Sequence, residues 1–232
     1  VTQHATLEHL VDGETPTDHD DPLSLDGLFT VVRTARDGDN DSIEQSMPLG
    51  IEVRDDGPRL VGGGGGGNGN NGNSTPLISV DETQLGVTAY GRPSSSRSLS
   101  FDYGADGAGT VPDVRSYALS LPTSGADSGL VDSATGERVL LVMDGTTVQG
   151  RTETTDELVF SLALVADTDT QMALTQFRAV DHPNTLDPND PITLGYGLID
   201  IVLTQTVTDG DGDTVTATGD WSVSQDMGFF DD

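Results

Sequence analysis

Cysteine is absent from this 232-residue chain, and so is lysine: all ten basic residues are arginines. Without thiols there is no disulfide, no thiolate nucleophile and no cysteine-ligated zinc or iron–sulfur centre. Without lysine there is no Schiff base and no P-loop ammonium. Positive charge is scarce against 39 acids, and the formal net charge of −29 excludes a nucleic-acid partner held through phosphate contacts. Apolar stretches all fall short of ten residues, so no helix is expected to enter or cross a membrane. The residues from Val1 onward lack the basic and apolar regions of a signal peptide, and the chain is expected to be an excised piece of something larger.

Catalytic signatures are also missing. His4, His9 and His19 crowd the start and His182 lies in Asp181-His182-Pro183, giving no HExxH, no Gly-x-Ser-x-Gly and no Ser–His–Asp pattern. Carboxylates are so abundant that counting does not exclude a glycosidase pair, but such a site also needs aromatic sugar platforms. Aromatic residues make up 5% of the chain, and its single tryptophan, Trp221, is expected to fill a core. No enzymatic activity is expected.

What the chain does have is glycine and proline, together about 17% against a typical ~12%. The rest is rich in Val, Leu, Thr and Ser, a turn-rich β composition. Strands are expected over residues 28–36, 116–121, 138–143, 158–166, 198–208 and 214–223, each bounded by Gly, Asp or Pro. Asp144-Gly145, between two β-rich runs, signals a hairpin. The expected fold is all-β, a β-sandwich of mostly antiparallel strands with long acidic and Gly-rich loops.

Residues 62–75, GGGGGGNGNNGNST, carry no charge and no apolar side chain, and are expected to be a flexible linker or the point where a module is inserted. They divide residues 1–61, the C-terminal part of one repeat unit, from residues 76–232, a complete β-sandwich unit; both sides are strongly acidic. An internal repeat supports this division. Val11-Asp12, Asp18 and Asp21-Pro22-Leu23 recur 169 positions later as Val180-Asp181, Asp187 and Asp190-Pro191-Ile192. After a three-residue length change, Asp37-Gly-Asp-Asn-Asp41 recurs as Asp209-Gly-Asp-Gly-Asp213. The period is that of a domain, which points to beads in series.

The two Asp-rich turns are the strongest candidates for chemistry. On an extended chain, alternate carboxylates lie about 7 Å apart, too far to share an ion. Glycines allow the backbone to curl, so that Asp209, Asp211 and Asp213, and likewise Asp37, Asp39 and Asp41, either converge on Ca²⁺ or simply make a turn. An EF-hand is disfavoured, because Thr214 stands where its glycine is needed and the flanks are strands. The adjacent pairs Asp55-Asp56 and Asp81-Glu82 near the unit ends are read either as solvated linker or as carboxylates bridged by a cation.

Several segments are similar to a known family. Residues 174–190 (LTQFRAVDHPNTLDPND), 205–214 (QTVTDGDGDT), 53–58 (VRDDGP) and 80–83 (VDET) resemble the repeat domains of giant bacterial RTX adhesins exported by type I secretion. The resemblance implies an extracellular, cell-surface array of β-sandwiches made rigid by calcium. It implies a monomeric scaffold that projects or supports ligand-binding modules for adhesion and biofilm formation. Its partners would be neighbouring domains of the same adhesin, inserted modules included. The long Gly/Asn run departs from the short linkers of such arrays. Residues 1–61 and 76–232 are therefore expected either to pack into one scaffold around an insertion point or to be separate tethered domains. A lectin-like carbohydrate-binding module is the alternative reading, and a calcium-dependent hydrolase a more distant one.

Overall fold

A computed structural model describes residues 22–54, 56–63, 76–93, 98–166, 170–184, 187 and 190–231. The fold is all-β and sandwich-like, built from 18 strands among the described residues with only single-turn 3-10 segments between them. Five strands precede the glycine run: β1 (Pro22–Ser24), β2 (Phe29–Arg36), β3 (Ser42–Leu49), β4 (Glu52–Arg54) and β5 (Arg59–Gly62). After it come β6 (Ile78–Asp81), β7 (Thr88–Gly91), β8 (Ser100–Asp102), β9 (Val114–Ser120), β10 (Ala126–Val131), β11 (Arg138–Asp144) and β12 (Thr147–Thr152). The last are β13 (Leu158–Leu164), β14 (Met172–Gln176), β15 (Pro191–Thr193), β16 (Asp200–Thr208), β17 (Thr214–Ser222) and β18 (Met227–Phe230). Pairing is mostly antiparallel, with β18 and β6 parallel.

Contacts divide the chain into two compact units. One takes its described residues from Val1–Val61, Ser100–Val114 and Thr206–Thr216; the other comprises those of Gly62–Leu99, Arg115–Gln205 and Ala217–Asp232. The second unit holds the largest sheet, in the order β10-β11-β12-β13-β14-β7. Its strands alternate buried and half-buried residues, so Val139, Leu141, Val148, Leu162 and Leu174 line one face. Phe160 lies opposite Gly150 in the register. A β-carbon at Gly150 would sit 2.1 Å from the Phe160 ring, so the ring occupies space that only glycine leaves open. Phe160 in turn meets Phe229 at 5.2 Å between ring centroids. The expected hairpin forms at Asp144-Gly145, where Asp144 pairs with Thr147 and Gly145 has φ +60°. Trp221 is buried and meets Tyr117 edge-on at 6.4 Å.

The internal repeat has a structural counterpart. β1 begins at Pro22 and β15 at its repeat, Pro191, and each pairs antiparallel with a strand further along the chain, β4 and β18 respectively. β2 and β3 form a hairpin about Asp37–Asp41, as the neighbouring strands β16 and β17 do about Asp209–Asp213. Residues 1–21 and 64–75, and with them Asp12, Asp18 and Asp21, lie outside the described residues.

Candidate metal centre

Asp209 closes the β16–β17 turn with its own carboxylate. Its Oδ1 accepts from the backbone N–H groups of Gly212 (3.1 Å) and Asp213 (2.8 Å), and its backbone N–H donates to the Asp213 carbonyl at 3.0 Å. Gly212, at φ +116°, supplies a backbone conformation that other residues rarely adopt. One oxygen of Asp209 is thus committed to the fold, leaving Oδ2 for other work.

A second loop is laid against this turn. Ala108 bridges to Asp209, and the Gly109 N–H donates to the Thr208 carbonyl at 2.9 Å. Two glycines permit the approach: a β-carbon on Gly109 would come within 2.2 Å of the Asp209 carbonyl oxygen, and one on Gly210 within 2.4 Å of the Asp106 carbonyl oxygen. The loop is held from behind by Asp56, whose carboxylate accepts from the Ala105 N–H at 3.1 Å, and by Asp102, which accepts from the Gly104 N–H at 3.2 Å and pairs with Arg59 at 2.6 Å. Asp106 is thereby brought to the turn, and oxygens of Asp106, Asp209 and Asp211 lie within 4.8 Å of one another.

The electrostatics of this cluster are unfavourable to anions. Asp209 is 1% exposed and Asp213 is also buried. Asp209 Oδ2 and Asp211 Oδ1 are buried with no hydrogen-bond donor. Burial, reinforced by the adjoining Asp211 carboxylate, pushes Asp209 up to about 7, although the Gly212 and Asp213 N–H groups pull against it. Asp106 is raised as well, by burial first and then by the charges of Asp211, Asp56 and Asp213. Buried carboxylates in this situation either keep a proton or bind a cation. Three converging carboxylates are hard oxygen donors of the kind Ca²⁺ takes, drawn close enough to share one ion. The residues fit Ca²⁺.

The repeated turn closes with the same backbone hydrogen bond but sits in a different environment. The Asp37 N–H donates to the Asp41 carbonyl at 3.0 Å, and Asp37 Oδ1 accepts from the N–H groups of Asp39 (3.3 Å) and Asp41 (3.0 Å). Asn40, at φ +72°, stands where Gly212 stands in the other turn. Asp37, Asp39 and Asp41 also have oxygens within 4.8 Å of one another, but all three are exposed, and among the described residues no further acid joins them.

The remaining sequence candidates hold loops. Asp55 lies outside the described residues, and Asp56 supports the Asp106 loop. Asp81 caps the short turn Glu82–Gln84 by accepting from the Thr83 N–H at 2.8 Å, and hydrogen bonds from the Thr83 hydroxyl and N–H lower its pKa. Glu82 Oε1 accepts from the Val180 N–H at 2.7 Å and lies 3.5 Å from His182 Nε2. The Asp81-Glu82 pair is therefore parted, each carboxylate facing its own donors. Asp190 accepts from the Asn184 N–H at 3.0 Å, as a turn residue does.

Two acids escaped sequence reasoning. Asp106 carries no local motif, and only the fold brings it to Asp209. Asp132 is fully buried and forked by Arg178 at 2.7 and 3.0 Å, with Thr135 donating through N–H and hydroxyl. Those hydrogen bonds, that of Arg178 foremost, lower Asp132 to about 2. A shallow groove of about 680 Å³ runs along Arg115–Leu119, Met143 and Leu164–Ala166 and has no carboxylate or imidazole in its lining.

No curated protein and no solved structure matches this chain. A family model described as a domain of unknown function, DUF5801, matches residues 77–222, well over half of the sequence, and the chain belongs to that family.

Proposed function

We propose that the protein is a calcium-stabilised structural scaffold, an extender region of a bacterial surface adhesin that supports ligand-binding modules and acts mechanically. The observation that carries this reading is the pair of buried, donor-less oxygens on Asp209 and Asp211, with Asp106 delivered to them by a separate loop. A chain with 39 acids and no disulfide adds to it, since cation binding relieves repulsion and joins segments distant in sequence. For a site with a dissociation constant of about 10 μM in about 1 mM calcium, binding stabilises the folded state by about 2.7 kcal/mol. The domain repeat and the resemblance to RTX adhesin repeats support placement in a cell-surface array, where calcium is plentiful.

Titration calorimetry with CaCl₂ on the chelator-stripped chain tests the cation, and thermal denaturation in calcium and in chelator tests its structural use. The expected result is calcium binding that is lost in Asp209→Asn/Asp211→Asn, together with a higher melting temperature in calcium for the parent alone. Equal melting temperatures in the two media, or unchanged binding by the double variant, would overturn the reading. Protease shaving of intact source cells tests the location: the protein should be digested from outside without lysis.

A further inference from the structure

The β2–β3 hairpin pairs Phe29 with Leu49, Val31 with Met47, Arg33 with Gln45 and Ala35 with Ile43. Directly opposite residues share a face, so one side of the hairpin is apolar except at Arg33 and Gln45. Every residue of both strands is nevertheless exposed, Val31 at 45% and Ile43 at 72%. Shifted by the 172 positions that relate the two Asp-rich turns, the same face in β16 and β17 carries Ile201, Leu203, Val207, Val215 and Trp221, with Gln205, Ala217 and Gly219 at the remaining positions. There it is core: Leu203 is 1% exposed and Val215 9%. The edges differ too. β16 is bonded to β9 on the side away from β17, whereas among the described residues β2 is bonded to β3 alone.

We propose that this bare face and free edge form a docking surface for another unit of the same fold, one built like residues 76–169 and lying ahead of β1 on the polypeptide. Its counterpart of β9 would pair along β2, and its core would cover Phe29, Val31 and Ile43. Core-type side chains at five repeated positions are what a half-core retains, and a soluble surface rarely exposes such a patch together with an unpaired edge. Charge agrees with this occupant. Residues 76–169 hold 14 acids against five arginines, while the two hairpin strands hold Arg33 and Arg36 against Glu44 alone. In the covered hairpin the counterparts of those arginines are Gln205 and Thr208, both uncharged. The inference does not depend on calcium.

Amide hydrogen exchange tests it, on the existing chain and on one extended by a copy of residues 76–169 placed ahead of Val1, where the 169-residue offset puts it. In the existing chain the amides of residues 29–36 should exchange at least about 100-fold faster than those of 200–208, and the extension should slow them at least about tenfold. Val31→Asp should leave the melting temperature of the existing chain within about 1 °C and lower that of the extended chain by several degrees. Slow exchange of 29–36 in the dilute existing chain, or a large loss on Val31→Asp there, would show the face already covered and overturn the proposal. Protection that grows with protein concentration would assign the face to a second copy of the chain, and also overturn it. So would an extended chain whose added amides are protected while the hairpin still exchanges fast. The measurements on the existing chain can overturn the proposal even where the added copy fails to fold.

Discussion

Asp209→Asn is expected to change stability in opposite directions with and without calcium. In the metal-free protein Asp209 has its pKa raised from 3.8 to about 7, so the folded state holds a proton that the unfolded chain releases. Between pH 4 and pH 7 the folded state binds more protons than the unfolded one, and stability therefore falls as pH rises. At pH 8 the loss of that proton acts against the fold by an amount on the order of a few kcal/mol. Asparagine carries no charge to desolvate and can donate to Asp211, so in chelator at pH 8 the variant should be more stable than the parent. In millimolar calcium the order should reverse, because the parent gains the ion and the variant loses a ligand. Thermal melts of both proteins in chelator and in 1 mM calcium, from pH 4 to pH 8, measure the four corners. A chelated parent equally stable at pH 5 and pH 8, or a variant with the same pH slope as the parent, would refute the reasoning.

Asp106→Asn should weaken calcium binding at least about tenfold by calorimetry, because one of three converging carboxylates is lost. Gly210→Ala should weaken it without touching a ligand, since the added β-carbon meets the Asp106 carbonyl and pushes that loop away. In the other unit, Arg178→Met leaves Asp132 buried without its charge partner and should destabilise the protein by about 3–5 kcal/mol in denaturant titration. The contribution of Asp132 in the parent is complete above about pH 4 and is lost as pH falls toward 2, because its folded pKa is depressed to about 2.

How far the sequence can be read depends on whether a feature is local. Most long strands were legible because period-2 alternation and β-branched residues act over a few neighbours, as in Thr214–Ser222, whereas Ser42–Leu49, with one β-branched residue and a proline, was not. Short strands such as Ser100–Asp102 were not, since three residues carry no period and gain their pairing from a distant partner. The Asp209–Asp213 turn was visible as a motif, and its repeat at Asp37–Asp41 as a copy. Nothing in either pentapeptide told which of them would be buried.

By itself, then, the sequence determined the all-β class, the repeat, the acid-rich turns and the exclusion of thiol and lysine chemistry, all of them matters of composition and nearest neighbours. Only the tertiary structure decided that Asp106 joins Asp209 and Asp211, that Asp81 and Glu82 part, and that one hairpin's apolar face is core while its twin's is bare. The reason is physical: a carboxylate's burial and a strand's free edge depend on which remote segment packs against them, which for Asp209 and Asp211 rests on the close approach allowed at Gly109 and Gly210.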